Sequence, residues 1–252
     1  MDAVNERQLV GDGTPERDWR RWLAGQALPR VRAQDLVQAR QRAVVLAPHP
    51  DDEVLMVGGL LAQLAGLARR IVLVAVTDGE ASHAGSRRWT PQALARQRIG
   101  ETRAALHALG VRAGALRLGL PDGGVAGQAG RLARRLQALL TRDDVLFTTW
   151  ALDGHPDHEA CARAARAAAA VRGASLYEIP VWGWQWAPAG TPQMPWQRAR
   201  LLVLPPEVIA RKQAALQAFA SQWQRDPDCP HTPVLRMPML ARAQRPFELL
   251  FA

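Results

Sequence analysis

From residue 42 onward, this chain alternates between short apolar runs and longer segments with the spacing of an amphipathic helix. The apolar runs are rich in valine, leucine and alanine and have the length of buried strands. We predict strands at 42–48, 71–77, 115–118, 144–149 and 200–204, and helices at 52–69, 91–109, 129–140, 157–171 and 206–219. Strand–helix alternation with short connections predicts an α/β fold, in which a mostly parallel sheet is covered by helices on both faces.

The length of 252 residues suits one α/β domain with a full hydrophobic core. We therefore predict a single domain over 1–252, with its core at 42–175. Residues 1–40 are predicted to form an N-terminal extension with an amphipathic helix that starts near Pro15. Residues 176–252 are predicted to contribute a tryptophan-rich loop and a C-terminal segment.

The net charge of +9 raises the question of a nucleic-acid partner. Arginine supplies nearly all of the positive charge, since Lys212 is the only lysine, and the arginines are spread along the predicted helices. A surface that follows phosphates usually has a clustered stripe instead, so we expect a small-molecule substrate and no nucleic acid. No apolar run approaches the roughly 20 residues of a membrane span, and the first residues lack a signal-peptide pattern, so we expect a cytoplasmic protein.

Two clusters of histidine and acidic residues each follow an apolar run directly. Residues 49–53 (His-Pro-Asp-Asp-Glu) follow the first predicted strand, and residues 155–158 (His-Pro-Asp-His) follow the strand at 144–149. Because the carboxyl ends of parallel strands meet at one edge of a sheet, we expect both clusters to face one crevice there. Carboxylates packed this closely repel each other unless a positive charge lies between them. A divalent cation is the simplest explanation.

The residue types match a catalytic zinc site, which has three protein ligands and an open position for water. His49, Asp52 and His158 are the predicted ligands. Asp51 is the predicted general base, and His155 is predicted to polarise the carbonyl and to protonate a leaving amine. Zn²⁺ is the expected cofactor, although Fe²⁺, Co²⁺ and Mn²⁺ also accept this donor set.

Two further acids lie beside the predicted ligands. Glu53 is predicted to support a ligand by hydrogen bonding, as carboxylates around metal sites often do. It also begins a predicted helix, where a negative charge is favourable for the helix dipole. Asp157 has the same two interpretations, and we favour the metal-site role for both residues.

In this order, the motifs resemble those of the PIG-L (LmbE-like) family of zinc-dependent N-deacetylases. The two clusters resemble the family's first and second motifs, while Thr77-Asp78-Gly79-Glu80 and Gly119-Leu120-Pro121-Asp122-Gly123 resemble segments between them. The resemblance implies a Rossmann-like three-layer sandwich that removes acetyl groups from N-acetylglucosamine units. It also implies that Arg98 and Asp122 contact sugar hydroxyls.

One position departs from the family pattern. Some members that act on mycothiol precursors have a tyrosine two residues before the second-motif histidine, where this chain has Asp153. The only tyrosine here is Tyr177, on a predicted strand, so no tyrosine takes part in the predicted mechanism.

Three functions stay open. The leading hypothesis is a metal-dependent hydrolase that removes an acetyl or other acyl group from the nitrogen of an amino sugar or glycoconjugate. The first alternative is a zinc amidase for a non-sugar acylated amine or natural product. The loop from Trp182 to Trp186 suits either substrate, since indole rings stack on sugars and also line apolar pockets. The second alternative is an anionic-surface or nucleic-acid binding protein with a structural metal.

Overall fold

A single eight-stranded sheet runs through the described part of the protein. The structure is a computed structural model that describes residues 7, 9, 11–229 and 232–252. Its strands are β1 (Arg30–Val31), β2 (Arg42–Ala47), β3 (Arg70–Ala75), β4 (Ala115–Arg117), β5 (Asp144–Thr149), β6 (Ser175–Ile179), β7 (Ala199–Val203) and β8 (Phe247–Phe251). Its helices are α1 (Glu16–Ala24), α2 (Ala33–Leu36), α3 (Asp52–Gly66), α4 (Pro91–Ala108), α5 (Ala129–Leu139), α6 (Pro156–Arg172), α7 (Gly183–Trp186), α8 (Pro206–Gln217), α9 (Ala220–Trp223) and α10 (Met237–Ala243).

The strand order creates a crevice between β2 and β5. The order across the sheet is β1-β7-β8-β6-β5-β2-β3-β4, and β2 pairs in parallel with both β3 and β5. After β2 the chain continues to β3 on one side, whereas after β5 it continues to β6 on the other. The connections that leave β2 and β5 therefore diverge, which is where open α/β sheets usually bind ligands.

Helices cover both faces of the sheet, so the predicted α/β class is confirmed. Side chains of β2 alternate between two cores, as the period of a strand requires. Val45 packs in one core with residues of α3, α4 and α8, and Val44 packs in the other with residues of α5 and α6.

The last strand differs in direction from its neighbours. β8 pairs antiparallel with β6 and β7, whereas the other pairings in the sheet are parallel. We predicted a C-terminal segment here without assigning a strand to it. β8 is nearly continuous in apolar residues apart from Glu248, and such a run does not reveal the direction in which a strand pairs.

Helix α3 is interrupted one turn after it begins. Val57 has non-helical backbone angles (φ −140°, ψ 26°), which leaves N–H groups of the following turn without helical partners. Glu248 accepts hydrogen bonds from the N–H groups of Gly59 and Leu60 at 2.6 and 2.8 Å. Lys212 lies 2.6 Å from Glu248 and donates to the carbonyl of Leu55 at 3.4 Å. This buried ion pair therefore supplies partners to both sides of the interruption.

The predicted amphipathic helix of the N-terminal extension is α1, and Trp184 and Trp196 of the tryptophan-rich region pack against it. Trp19 is fully buried and donates a hydrogen bond to the carbonyl of Trp184 at 2.8 Å. Trp22 lies against Trp196, with ring centroids 4.1 Å apart. Residues 1–6, 8 and 10 of the extension lie outside the described residues. Within the described ranges, no helix is both long and apolar enough to cross a membrane.

Candidate metal centre

Three side chains from the ends of β2 and β5 bring one donor atom each to a common point. Nδ1 of His49 lies 3.3 Å from Oδ2 of Asp52 and 3.3 Å from Nε2 of His158. Nε2 of His158 lies 3.2 Å from the same Asp52 oxygen. His49 follows β2, Asp52 begins α3 and His158 lies in the first turn of α6. The structure thus brings together the three residues that we predicted as ligands.

The spacing of these three atoms fits a metal ion. Ligand atoms bound to zinc at about 2.0–2.1 Å in a tetrahedral arrangement lie about 3.3 Å apart. Two ring nitrogens and a carboxylate oxygen are also donors that zinc prefers. The residues present therefore fit the cation that the motifs imply. A ring nitrogen of His155 also lies within 4.8 Å of donors from His49 and His158, in a looser group.

In both His49 and His158, the ring nitrogen that faces away from the common point lies beside a carboxylate. Nδ1 of His158 lies 2.7 Å from Oδ2 of Asp153, which leaves Nε2 for the metal. Nε2 of His49 lies 3.2 Å from both Asp157 and Asp122, which leaves Nδ1 for the metal. Pairing of a ligand histidine with a carboxylate or carbonyl is the usual arrangement around metal sites, because it fixes the tautomer and orients the ring.

His49, Asp122 and Asp157 also form a second group of three potential donors. Backbone N–H groups already occupy its carboxylates, since Asp157 accepts from Gly123 and Val125, and Asp122 accepts from Ala81. Because these hydrogen bonds fix Asp122 and Asp157 in place, the two carboxylates can orient the ring of His49. Sequence reasoning assigned Asp157 to this kind of role and assigned Asp122 to sugar hydroxyls.

The centre attracts positive charge. Burial by itself would lower the pKa of His158, but Asp52 and Asp153 outweigh burial and raise the pKa to about 9. Burial would likewise lower the pKa of His49, but hydrogen bonds to Asp122 and Asp157 raise it well above its ordinary value. Carboxylates around these rings thus stabilise a positive charge, either as protons on the imidazoles or as a bound cation.

Asp51 is held in an unusual backbone conformation beside the donors. Its φ is 110°, a region that residues other than glycine rarely adopt, and such a residue persists only where its surroundings fix it. The Asp51 N–H donates to Glu53 at 3.0 Å, and Nη2 of Arg98 donates to the Asp51 carboxylate at 3.1 Å. Burial raises the pKa of Asp51 to about 8, against the attraction of Arg98. Asp51 is therefore fixed as a carboxyl group with a pKa close to neutrality.

His155 caps the N-terminus of α6. Its Nδ1 accepts a hydrogen bond from the backbone N–H of Asp157 at 3.2 Å, so the ring proton of the neutral imidazole lies on Nε2. Burial, with the neighbouring His158 and His49, lowers the pKa of His155 to about 3. The ring stacks on Trp182, with centroids 6.4 Å apart. His155 is thus arranged as a neutral hydrogen-bond donor.

Arg98 and Glu53, which form hydrogen bonds with Asp51, are both buried. Arg98 is 2% exposed and also donates to the carbonyl of Gly79 at 3.0 Å. A Cβ at Gly79 would lie 2.0 Å from Nη1 of Arg98, so this close approach requires glycine. Glu53 is 1% exposed, and burial raises its pKa to about 7. Sequence reasoning missed Asp153 as the partner of His158, although its position two residues before the second cluster was a usable signal.

A cavity of about 330 Å³ opens onto the candidate metal centre. Asp51, Asp52 and His155 line one part of it. Trp182 and residues of α10 line other parts. Of the tryptophan-rich loop, Trp182 therefore reaches the cavity, whereas Trp184 packs against Trp19 with ring centroids 4.7 Å apart.

Comparison with known families gives one match that covers both clusters. The model of the family PIG-L, described as GlcNAc-PI de-N-acetylase, matches residues 44–169, which are half of the chain. No protein among the curated sequences matches.

Several solved structures are similar to this one. The A40926 pseudoaglycone deacetylase Dbv21 is 23% identical with a TM-score of 0.63, and the alignment covers 84% of this chain and 96% of that one. The N,N'-diacetylchitobiose deacetylase from Pyrococcus horikoshii is 18% identical with a TM-score of 0.60, over 79% and 75% of the two chains. The 4-carboxy-2-hydroxymuconate hydratase GalB from Pseudomonas putida KT2440 is 20% identical with a TM-score of 0.52, over 72% and 80%. At these identities the similarity shows the fold alone.

Proposed function

The chain belongs to the PIG-L family, and from this premise we propose that it is a metal-dependent hydrolase that removes an acyl group, in the first place acetyl, from the nitrogen of an amino sugar or glycoconjugate. The observation that carries this proposal is the triangle of donor atoms from His49, Asp52 and His158, with edges of 3.2–3.3 Å. It lies in a cavity beside a fixed carboxyl group and a neutral imidazole. An amide hydrolase needs these groups together.

His49, Asp52 and His158 would hold the cation, with Zn²⁺ favoured by the donor set and with Fe²⁺, Co²⁺ or Mn²⁺ as alternatives. When bound, the cation supplies a positive charge that makes water more acidic and polarises an amide carbonyl. Asp153 and Asp157 would keep the two rings in the required tautomers.

Asp51 would act as the general base. It takes a proton from the attacking water while the new C–O bond forms at the amide carbon. A base with a pKa close to the working pH is the most effective, and burial brings Asp51 into this range. Arg98 and Glu53 fix its orientation through the contacts described above.

His155 would stabilise the negative charge that develops on the carbonyl oxygen. Its Nε2–H is the available donor, since Nδ1 is occupied by the N–H of Asp157. When the C–N bond breaks, the leaving nitrogen would take up the proton that Asp51 accepted from the water, so the products are the carboxylic acid and the free amine. Burial, which lowers the pKa of His155 to about 3, keeps this imidazole neutral.

We propose an amino-sugar substrate because of the family and because known deacetylases with this fold include one for diacetylchitobiose and one for an antibiotic pseudoaglycone. The ring of Trp182, stacked on His155, supplies an aromatic face in the cavity. A non-sugar amide is the competing substrate, since such a face also binds apolar groups. We further propose that the chain is one domain with a Rossmann-like arrangement, which comprises the adjacent parallel strands β4-β3-β2-β5-β6.

The test is to remove the metal with a chelator and to measure acetate release from N-acetylglucosaminides. We expect activity to disappear with the metal and to return when zinc is added in stoichiometric amount. Turnover that persists in protein shown to be metal-free would refute the proposal. Parallel assays with acylated amines that contain no sugar decide between the two substrate classes.

A further inference from the structure

Arg242 is a buried guanidinium that lines the same cavity as the candidate metal centre. It lies on α10 and is only 7% exposed. Its Nη2 donates to the carbonyl of Thr14 at 2.8 Å. Neither Nε nor Nη1 has a hydrogen-bond partner within the described residues. A buried charge with unpaired donors is costly, so such a group is usually matched by an anion.

The acidic residues near Arg242 do not neutralise it. Glu16 forms two hydrogen bonds with the neighbouring Arg245, at 2.9 and 2.7 Å, and therefore has its oxygens occupied. Asp12 also lines the cavity, but it is exposed and has no hydrogen bond to Arg242. Burial and the neighbouring Arg245 together lower the pKa of Arg242 to about 10, and the attraction of Glu16 and Asp12, which acts in the opposite direction, does not outweigh them.

A second arginine, Arg236, adds positive charge to the part of the cavity that Arg242 lines. Arg236, the residue before α10, is exposed and also lines the cavity. Leu235 precedes Arg236, and Met239 lies between the two arginines in sequence; both line the cavity with apolar surface. In a partly enclosed site, apolar surroundings make charges act more strongly than they do in open water.

We infer that the wall of the cavity formed by Arg236 and Arg242 binds an oxyanion, a carboxylate or a phosphate, that the substrate carries away from its amide. This inference rests on the proposed function and narrows it to amides with an acidic group. Arg242 acts through the unscreened field of its buried charge, and Arg236 is open to direct contact. The acidic group and the acyl nitrogen then occupy different parts of one cavity.

The experiment compares three N-acetylglucosaminides: one with a carboxylate on its aglycone, the methyl ester of that compound, and one with a phosphate monoester in the same place. Dissociation constants are measured by calorimetry with zinc-loaded Asp51→Asn protein, so that turnover does not interfere. Values of kcat/KM are measured with the zinc-loaded wild-type enzyme. We expect an acidic ligand to bind about 10- to 100-fold more tightly than the ester, because the buried charge of Arg242 attracts it across weakly polar surroundings and Arg236 can form a charged hydrogen bond with it.

Substitutions test whether Arg236 and Arg242 cause the preference for the acidic ligand over the ester. Arg242→Gln should remove most of the preference for the acidic ligand and leave the affinity for the ester within about twofold, and Arg236→Gln should reduce the preference less. Arg17→Gln changes the net charge equally at a side chain that is 82% exposed, and it should leave the preference unchanged. Arg242→Lys keeps the charge and should retain part of the preference, which guards against a folding defect in the glutamine variant.

The outcomes separate this inference from the proposed function. Equal affinity for acid and ester in protein with both arginines overturns the anion site, even if the ester is deacetylated. A preference that is unchanged in Arg242→Gln also overturns it. A preference for the acid that this variant loses, without deacetylation of any of the three compounds, supports the anion site and refutes the deacetylase. The tighter of the two acidic ligands shows whether a carboxylate or a phosphate is bound.

Discussion

Oδ2 of Asp153 lies 2.7 Å from Nδ1 of His158, and both side chains are fully buried. The Asp153 carboxylate also accepts hydrogen bonds from backbone N–H groups that follow β6, with Val181 and Gly183 donating at 2.9 and 2.8 Å. One carboxylate therefore connects the candidate ligand after β5 with the loop after β6. Asp153 thus positions His158 from the side of the ring opposite to the nitrogen in the donor triangle.

Asp153→Asn is expected to weaken zinc binding about 10- to 100-fold, a typical effect of changing a residue that supports a metal ligand. The asparagine keeps an oxygen for the loop N–H groups but loses the negative charge that orients and polarises His158. The measurement is competition for zinc with a chelator of known affinity. Asp143→Asn removes an exposed carboxylate at the opposite end of β5 and serves as the control. Unchanged zinc affinity in the Asp153 variant would contradict the proposed support of His158.

Asp51 and Asp52 are adjacent, yet their substitution should have different effects. Asp51→Asn should retain zinc and lower kcat about 10²- to 10⁴-fold, because it removes only the general base. Asp52→Asn should lose zinc, because it removes a ligand from the donor triangle. Metal content by mass spectrometry, measured beside turnover, separates the two effects. Loss of zinc from the Asp51 variant would mean that the ligand and base assignments are wrong.

The sequence predicted the sheet and the donor triangle because both depend on local patterns. Apolar runs mark β2 and β5, and the residues directly after a parallel strand must lie at its carboxyl end, so the approach of His49 to His158 followed. Asp153 and Arg242 were not predicted as functional. Asp153 lies two residues before the second cluster, which was a usable signal, but its contacts with the loop after β6 and the surroundings of Arg242 come from separate segments that no local pattern records. The antiparallel direction of β8 was missed because a short apolar run fits either direction.

The ion pair between Lys212 and Glu248 should contribute strongly to stability. Glu248→Gln leaves a lysine that is 3% exposed without its counter-charge, and breaking a buried pair in this way typically costs about 3–5 kcal/mol. Chemical denaturation measures the change in the free energy of unfolding. The double variant Lys212→Met, Glu248→Gln should be less destabilised than Glu248→Gln alone, since no unpaired charge remains.

A matched control for this pair is Asp35→Asn, which removes the counter-charge of Arg32 at the surface and should have no measurable effect. A double variant as unstable as Glu248→Gln alone would show that the destabilisation comes from another cause, such as the altered acceptor for Gly59 and Leu60.

The pair of Arg42 and Asp144 should make the protein sensitive to acid. Nε and Nη2 of Arg42 donate to the two oxygens of Asp144 at 2.8 and 2.7 Å, and this contact joins the starts of β2 and β5. Burial acts to raise the pKa of Asp144, but Arg42 and the N–H of Thr141 outweigh it and lower the pKa below its ordinary value of 3.8. The unfolded chain therefore binds a proton at higher pH than the folded protein does.

Because the pKa is lower in the folded state, the stabilisation by Asp144 is complete above about pH 5 and is lost as the pH falls through the folded value. Asp144→Asn should thus reduce the free energy of unfolding at pH 7, and its difference from wild type should shrink between about pH 4 and pH 2. Urea unfolding at several pH values measures this, with Asp143→Asn as the exposed neighbour for comparison. A difference of the same size at pH 7 and at pH 2.5 would show that the charge of Asp144 does not stabilise the fold and that only its packing and hydrogen-bond geometry do.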